Sequence, residues 1–509
     1  MDRKHSIRLL VAILLSGFVL RVCSFHWNSR LQGDVNLFAL TAREFVEHAR
    51  LAYPMKYEFS DHVDYRVLHS PASEHPLLVP FLAGVVGKLF RTDDTFAILK
   101  IICETFGFLF LTLVAYVGFR KKAIDETLVA TAGIALAPML VDFSANGSVY
   151  ILSTFLIASA IFLLCEFRFE RVWDYVLVGL LIGVALQVHG SLISILFSSI
   201  LFFSWKHSQT RYRFLLLSLT VALLVLSPTA IWNYAHFKTF WYSHDNVLFL
   251  RELGLAKLGI YGETITTRTI GTISLSATLK TYLAMVFRTA SLFLYGYARE
   301  IGPFCLILVW LGLVRLFKQA KDRALVFLLL PIVHALTIFF LAPMSFRYRF
   351  ILPVLPEAYI VAGFGFIYLY REKGKRLLGW IGCAGTLAWG LPHYFAKPPT
   401  KYSAADRGYA ARYDDMKRLA LELRNREQGV VLGYSMSLDG GIETVYWNRF
   451  PFVAGRDFDQ KAEIVKLIRD FDVRYIWSDG ETLTRIRAWV PDAKVILQND
   501  SYSVSELQQ

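Results

Sequence analysis

Apolar residues along this chain gather into long, nearly uninterrupted blocks, and the polar residues collect between the blocks instead of alternating within them. A helix needs about 20 such residues to cross the hydrocarbon layer of a bilayer. The pattern predicts eleven spans, at residues 7–25, 97–119, 126–142, 148–166, 172–189, 190–205, 212–231, 302–317, 324–342, 350–370 and 377–394. Two further segments are helical in pattern without fitting a crossing. In residues 34–48, Val35, Phe38, Ala39, Ala42, Phe45 and Val46 recur at helical spacing while Arg43, Glu44, Glu47 and His48 take the other side, which predicts an amphipathic helix lying in the membrane interface. Residues 75–90 (HPLLVPFLAGVVGKLF) are apolar but short and interrupted by Pro80, which predicts a juxtamembrane or re-entrant helix.

After residue 396 the composition turns soluble and the periodicity changes. Helices are expected near 415–427, 459–472 and 481–490, with strands at Val430–Tyr434, Arg474–Ser478 and Lys494–Gln498. The expected organisation is therefore a membrane domain over 1–396 and a small α/β domain over 397–509. Two polar loops interrupt the membrane domain, at 27–96 and 232–301. The later part of the second, Leu279–Tyr297, is apolar enough to lie against the membrane surface.

Composition supports an integral membrane protein: of 509 residues 55% are hydrophobic and 19% charged, against about 25% charged in soluble domains. A net charge of +13 raises the question of nucleic acid, but the distribution of that charge answers it. Met1-Asp2-Arg3-Lys4 precedes the first span. Arg120-Lys121-Lys122, Arg168 with Arg171, Lys206 with Arg211 and Arg213, Arg315 with Lys318, Lys321 and Arg323, and Arg371 with Lys373, Lys375 and Arg376 follow in alternate loops. All fall on one side of the membrane, as the positive-inside rule requires, and no compact basic face for nucleic acid is formed. The N-terminus is then cytoplasmic, and an odd number of spans puts the tail outside. Counting 75–90 as a span would throw Arg120-Lys121-Lys122 to the wrong side. Cys23, Cys103, Cys165, Cys305 and Cys383 all lie in or beside apolar blocks, so neither a disulfide framework nor a metal-type spacing is expected. The first span has no small-residue cleavage site and reads as an anchor. With no organellar signal, a bacterial inner membrane is the expected location.

Candidate chemistry concentrates on the outer side. Asp34, in Gln32-Gly33-Asp34, opens the amphipathic helix just past the first span. A carboxylate there can accept the proton of an attacking hydroxyl or amine; it is equally suited to cap the helix, and the two roles are compatible. Asp142 ends the third span, in Val141-Asp142-Phe143-Ser144-Ala145-Asn146-Gly147-Ser148, and can serve as a second acid; a single carboxylate is a poor divalent-cation site, so no metal and no cofactor is expected. His189, after Gln187, is an ionisable group at the outer end of the fifth span, a functional candidate or a local polar contact. Arg347 and Arg349 follow the ninth span, where they can bind a phosphate or simply snorkel to the interface.

These elements together resemble the GT-C glycosyltransferases. An acid opens an amphipathic helix after the first span. Glu74-His75-Pro76-Leu77-Leu78 and Lys88-Leu89-Phe90 follow, and Arg347-Tyr348-Arg349-Phe350-Ile351-Leu352-Pro353 comes after the ninth span. The pattern is most similar to the protein-mannosyltransferase and aminoarabinose-transferase-like branch. The resemblance implies an α-helical polytopic membrane protein of GT-C type with an extracytoplasmic α/β tail. It implies a polyprenyl-phosphate sugar donor, a lipid, glycan or protein acceptor, and transfer with inversion. It implies Asp34 as base, Glu74 and His75 near donor or acceptor, and Arg347 and Arg349 on the lipid phosphate. One departure stands out: where that group often carries an acid at the start of the fourth span, this chain has Asn146 and Ser148, with Asp142 slightly early. A polytopic transporter or flippase, or a non-catalytic scaffold of the same architecture, are the competing readings. Few ionisable groups at mid-membrane (Glu104 is one) and no paired broken helices count against the transporter.

Overall fold

Each of the eleven apolar blocks folds as helix. In the computed structural model, which describes residues 3–27, 34–53, 55–56, 70–71, 77–121, 123–205, 208–237, 240, 257–258, 264–265, 275–341, 348–395, 404–434, 444–455 and 461–507, the bundle begins with Arg3–Trp27 and ends with Arg376–Phe395. Six described helices are long and apolar enough to cross a membrane unaided, and a bent pair would make a seventh. Others are short: Tyr150–Glu166 and Val172–Val188 have 17 residues each, about 25 Å of rise against a hydrocarbon layer of about 30 Å.

The bent pair comes from the third block, which the hydropathy pattern reads as one span. Ile124–Leu136 and Pro138–Ala145 meet at 57°. Pro138 has no N–H to give to Ile134, four residues back, and its ring crowds that carbonyl. Arg21, completely buried in the first helix, covers the break. Its guanidinium donates to the carbonyls of Ile134 and Ala135 at 3.4 Å each, to Gly17 at 3.0 Å and to the Ser144 hydroxyl at 3.2 Å. A charged group at this depth persists because its donors are aimed at oxygens.

The helix Leu275–Gln319 breaks at Gly302, whose φ of +74° suits a residue without a side chain, just before Pro303. The first part runs across one end of the bundle. Tyr282 donates to the Phe340 carbonyl and Trp389 to that of Arg299, each at 2.8 Å, which ties the segment to two neighbouring spans. The second part turns into the bundle and lies backbone to backbone on Leu355–Ile367. A Cβ on Gly312 would sit 2.0 Å from the Val361 oxygen, and one on Gly365 1.9 Å from the Leu308 oxygen. Close approach through small residues is how membrane helices gain packing energy in lipid. Gly365→Ala is expected to cost about 1–3 kcal/mol, as overpacking does, seen as a lowered apparent Tm of the detergent-solubilised protein. Gly190→Ala, where a Cβ meets nothing within 4 Å, should leave that Tm unchanged.

The basic loops that the sequence places on one side do gather at one end. Glu166 takes Lys121, and Arg323 at 3.5 Å; Arg315 bridges Glu126 at 3.2 Å and Glu372 at 2.7 Å; Arg371 and Ser6 both meet Asp125. The five cysteines are free thiols, as expected.

The tail is an α/β layer with helices Ala404–Leu423, Lys461–Asp470 and Gly480–Trp489. Its six-stranded sheet runs in the order Met55–Lys56, Phe452–Gly455, Val430–Tyr434, Val473–Asp479, Tyr502–Leu507, Ala493–Gln498. The first four strands are parallel, and the last two join antiparallel. One strand thus comes from the first polar loop. The tail also completes its core with that loop: Leu37, Leu40 and Leu77 pack among Tyr413, Met416 and Trp477. Helix Asp34–His48 is therefore not an open interfacial helix. Phe38, Ala39 and Ala42 face the bundle, while the tail covers part of the side expected to meet water, burying Arg43 and Glu44 and leaving Glu47 and His48 exposed.

Candidate functional site

The end of the bundle away from the ion pairs is built around the start of helix Tyr150–Glu166. Asn146 closes the preceding helix and accepts from the Ser148 N–H at 2.9 Å; Gly147, at φ +81°, lets the chain turn beneath Val35 and Lys100. A Cβ on Gly147 would come within 3.1 Å of Val35. The start of helix Asp34–His48 is thereby fixed beside this turn.

Tyr150 is the hub, and sequence reasoning missed it. Its hydroxyl meets His189 Nε2 at 3.1 Å, and its ring carries the Arg349 guanidinium at 5.0 Å from the centroid. Phe350 closes the cluster, 5.9 Å from Tyr150 and 6.1 Å from His189 between ring centroids. His189 ends helix Val172–Val188, and its Nδ1 accepts the Ser191 N–H at 3.2 Å. A neutral ring then holds its proton on Nε2 and points it at Tyr150. Arg349 is aimed by its own support. It is the second residue of the turn Tyr348–Val354, and buried His334 donates from Nε2 to the Phe350 carbonyl at 3.1 Å while Nδ1 sits 3.0 Å from the Ser194 hydroxyl.

The expected residues are partly brought together. His189 and Arg349 meet through Tyr150. Asp142 is half-buried on the neighbouring helix, 3.4 Å from the Ser24 hydroxyl, and adjacent Phe143 edges onto Tyr150 at 6.2 Å. Asp34 is the first residue of its helix, but its side chain, like Glu74, His75 and Arg347 altogether, lies outside the described residues.

Two ionisable groups near this end were not singled out for the site. Lys100 is buried, donates to the Phe25 carbonyl and lies over the Phe25 ring at 4.0 Å. Glu104, one turn on, is within electrostatic reach of Lys100 and Arg21. Their signal is legible afterwards: a Lys and a Glu four apart inside an otherwise apolar block lie on one helix face. Among the described residues, one group has metal-ligand spacing, Glu44, Glu47 and His48. Glu47 there is shared between Arg43 at 3.9 Å and Arg449 at 3.7 Å, so its charge is already compensated.

The tail clamps this end from above. Arg43 donates to the Tyr446 and Val445 carbonyls, and Thr95 donates to Ala39 at 2.6 Å. The first N–H groups of helix Thr95–Arg120, which no helical carbonyl can satisfy, are all taken. Asp94 accepts from Ala97 at 3.0 Å, and the Tyr446 hydroxyl accepts from Phe96 at 3.1 Å. Burial pushes the Tyr446 phenol up from its ordinary pKa, so it keeps its proton at neutral pH. Tyr446→Phe strands the Phe96 N–H in a buried place, and is expected to cost about 1–3 kcal/mol, measured as a lower apparent Tm.

Residues 74–232 match the family model described as dolichyl-phosphate-mannose-protein mannosyltransferase. No curated protein matches the chain. Among solved structures, ArnT from Cupriavidus metallidurans bound to undecaprenyl phosphate is similar with a TM-score of 0.63 at 14% identity, over 99% of this chain and 98% of that one. The oligosaccharyltransferase of Archaeoglobus fulgidus, complexed with zinc and sulfate, gives 0.60 at 15% identity over 95% of this chain and 69% of that one. The same organism's AglB, in complex with an inhibitory peptide and a dolichol-phosphate, gives 0.58 at 15% identity, over 95% and 70%. At such identities the likeness is one of fold, and it covers the bundle and the tail together.

Proposed function

Because the chain folds as a multi-pass membrane protein of GT-C architecture, we propose that it transfers a sugar from a polyprenyl-phosphate donor to a lipid, glycan or protein acceptor. The reaction takes place at the tail end of the bundle, on the extracytoplasmic face. The observation that carries this reading is the family match over 74–232, a stretch that contains Tyr150 and His189 and faces Arg349 across the cluster. That two similar folds were solved with undecaprenyl phosphate and dolichol-phosphate supports the donor class.

The chemistry is a single inverting displacement. The acceptor oxygen or nitrogen attacks the anomeric carbon, its proton passes to the Asp34 carboxylate, and the bond from the anomeric carbon to the phosphate oxygen breaks with its electron pair on the phosphate. Arg349 and Arg347 compensate the departing charge; an Arg fork suits phosphate oxygens. Tyr150 and His189 hold Arg349 in place, Asp142 serves as the second acid, and Glu74 and His75 border the donor or acceptor. A phosphate is already a fair leaving group, so neither a strong acid nor a metal is required, and chelation with EDTA should leave turnover unchanged. The deciding experiment gives the purified chain a radiolabelled polyprenyl-phosphate sugar of known anomeric configuration together with candidate acceptors. Expected is labelled product of the opposite configuration; retention, or no transfer to any acceptor class, would overturn the reading.

A further inference from the structure

The opposite end of the bundle holds a cavity that the proposed transfer does not use. It measures about 250 Å³, and its charged lining is Lys121, Glu126, Glu166 and Arg323, of which Lys121 and Arg323 are the most exposed. Its depths are apolar, lined by Leu113, Val114, Ala158, Ile161 and Phe327. From Lys121 to Leu113, and likewise from Glu166 to Ala158, is eight residues of helix, a depth of about 12 Å. The volume falls below the roughly 300–1,000 Å³ of small-molecule sites. It suits part of one hydrocarbon chain.

The mouth is charged in a particular way. Lys121 and Arg323 share the single carboxylate of Glu166, while Glu126 is matched by Arg315. Arg315 is shared with Glu372 as well, so what marks the mouth is local: two cations meet one carboxylate at Glu166. Lys121 and Arg323 are 42% and 43% exposed against 14% for Glu166, so the surplus faces outward at the level where lipid headgroups lie. Basic pockets between spans recognise anionic headgroups.

We propose that this cavity is a binding site for an anionic glycerophospholipid, with its phosphate between Lys121 and Arg323 and one acyl chain in the hollow. The test is native mass spectrometry of the full chain in detergent with dioleoylphosphatidylglycerol, dioleoylphosphatidylcholine or undecaprenyl phosphate. One phosphatidylglycerol should be retained per chain under activation that strips phosphatidylcholine. Lys121→Gln with Arg323→Gln should weaken that retention about thirtyfold, about fivefold for each cation near an anionic lipid. Lys321→Gln with Lys375→Gln removes the same charge at the same end, outside the mouth, and should change nothing. Ala158→Leu, which fills the hollow without touching charge, should also weaken retention; an unchanged apparent Tm in each variant shows that it folds. The proposal is overturned by equal retention of phosphatidylcholine, by indifference to either the charge or the filling variant, or by preference for undecaprenyl phosphate at these residues.

Discussion

Asp34→Asn is expected to lower kcat by about 10²–10⁴-fold, the loss that follows removal of a positioned base, while leaving the protein folded. The substitution separates the two roles of this residue. Asn caps a helix about as well as Asp does, so the start of helix Asp34–His48 should survive, and with it the packing of Val35 against the turn at Gly147. What Asn cannot do is accept a proton from an acceptor hydroxyl at neutral pH. The measurement is single-turnover transfer from radiolabelled donor, with apparent Tm as the control. Wild-type turnover with an unchanged Tm would leave Asp34 as a cap alone.

Arg349→Ala is the second large effect, expected at about 10²–10³-fold in kcat, the usual loss when a donor aimed at developing charge is removed. Its support makes the prediction specific. The guanidinium lies on the Tyr150 ring, Tyr150 is tied to His189, and the backbone that presents Arg349 is held by His334 at the next carbonyl. The cluster therefore orients the charge before substrate arrives. Arg349→Lys should recover only part of the activity, because an ammonium keeps the charge and loses the planar fork. A rise in donor KM with kcat unchanged would instead make Arg349 a ground-state anchor.

How much of this was legible beforehand depended on the length of the signal. The apolar blocks are long, and all of them are helices; the charge pattern between them put distant residues such as Lys121, Glu166, Arg315 and Arg371 at one end, where the structure finds them paired. The bend at Pro138 was hidden, because hydropathy does not register which carbonyls a proline strands, and Arg21 reads as one polar letter in an apolar block. Helix Asp34–His48 showed its amphipathic face correctly, but Leu37 and Leu40 on the other side were the clue that this side was covered too. In the tail, Tyr502–Leu507 was missed because Ser503 and Ser505 are buried in it, and Met55–Lys56 is too short to carry any period. Of the ionisable candidates, His189 and Arg349 meet in the structure with Asp142 beside them; what joins them, Tyr150, was illegible, an aromatic in an apolar block whose hydroxyl matters only once His189 and Arg349 are beside it.

The pairing of Met55–Lys56 with Phe452–Val453 has a consequence for how the molecule is made. Nearly 400 residues separate the two partners, and every span must be threaded before they can meet. Contacts so distant along a chain form slowly. Until they do, Leu37 and Leu40 have no cover and the end of the bundle that carries Tyr150 is open. Assembly therefore finishes at the end of the bundle where transfer is proposed to occur.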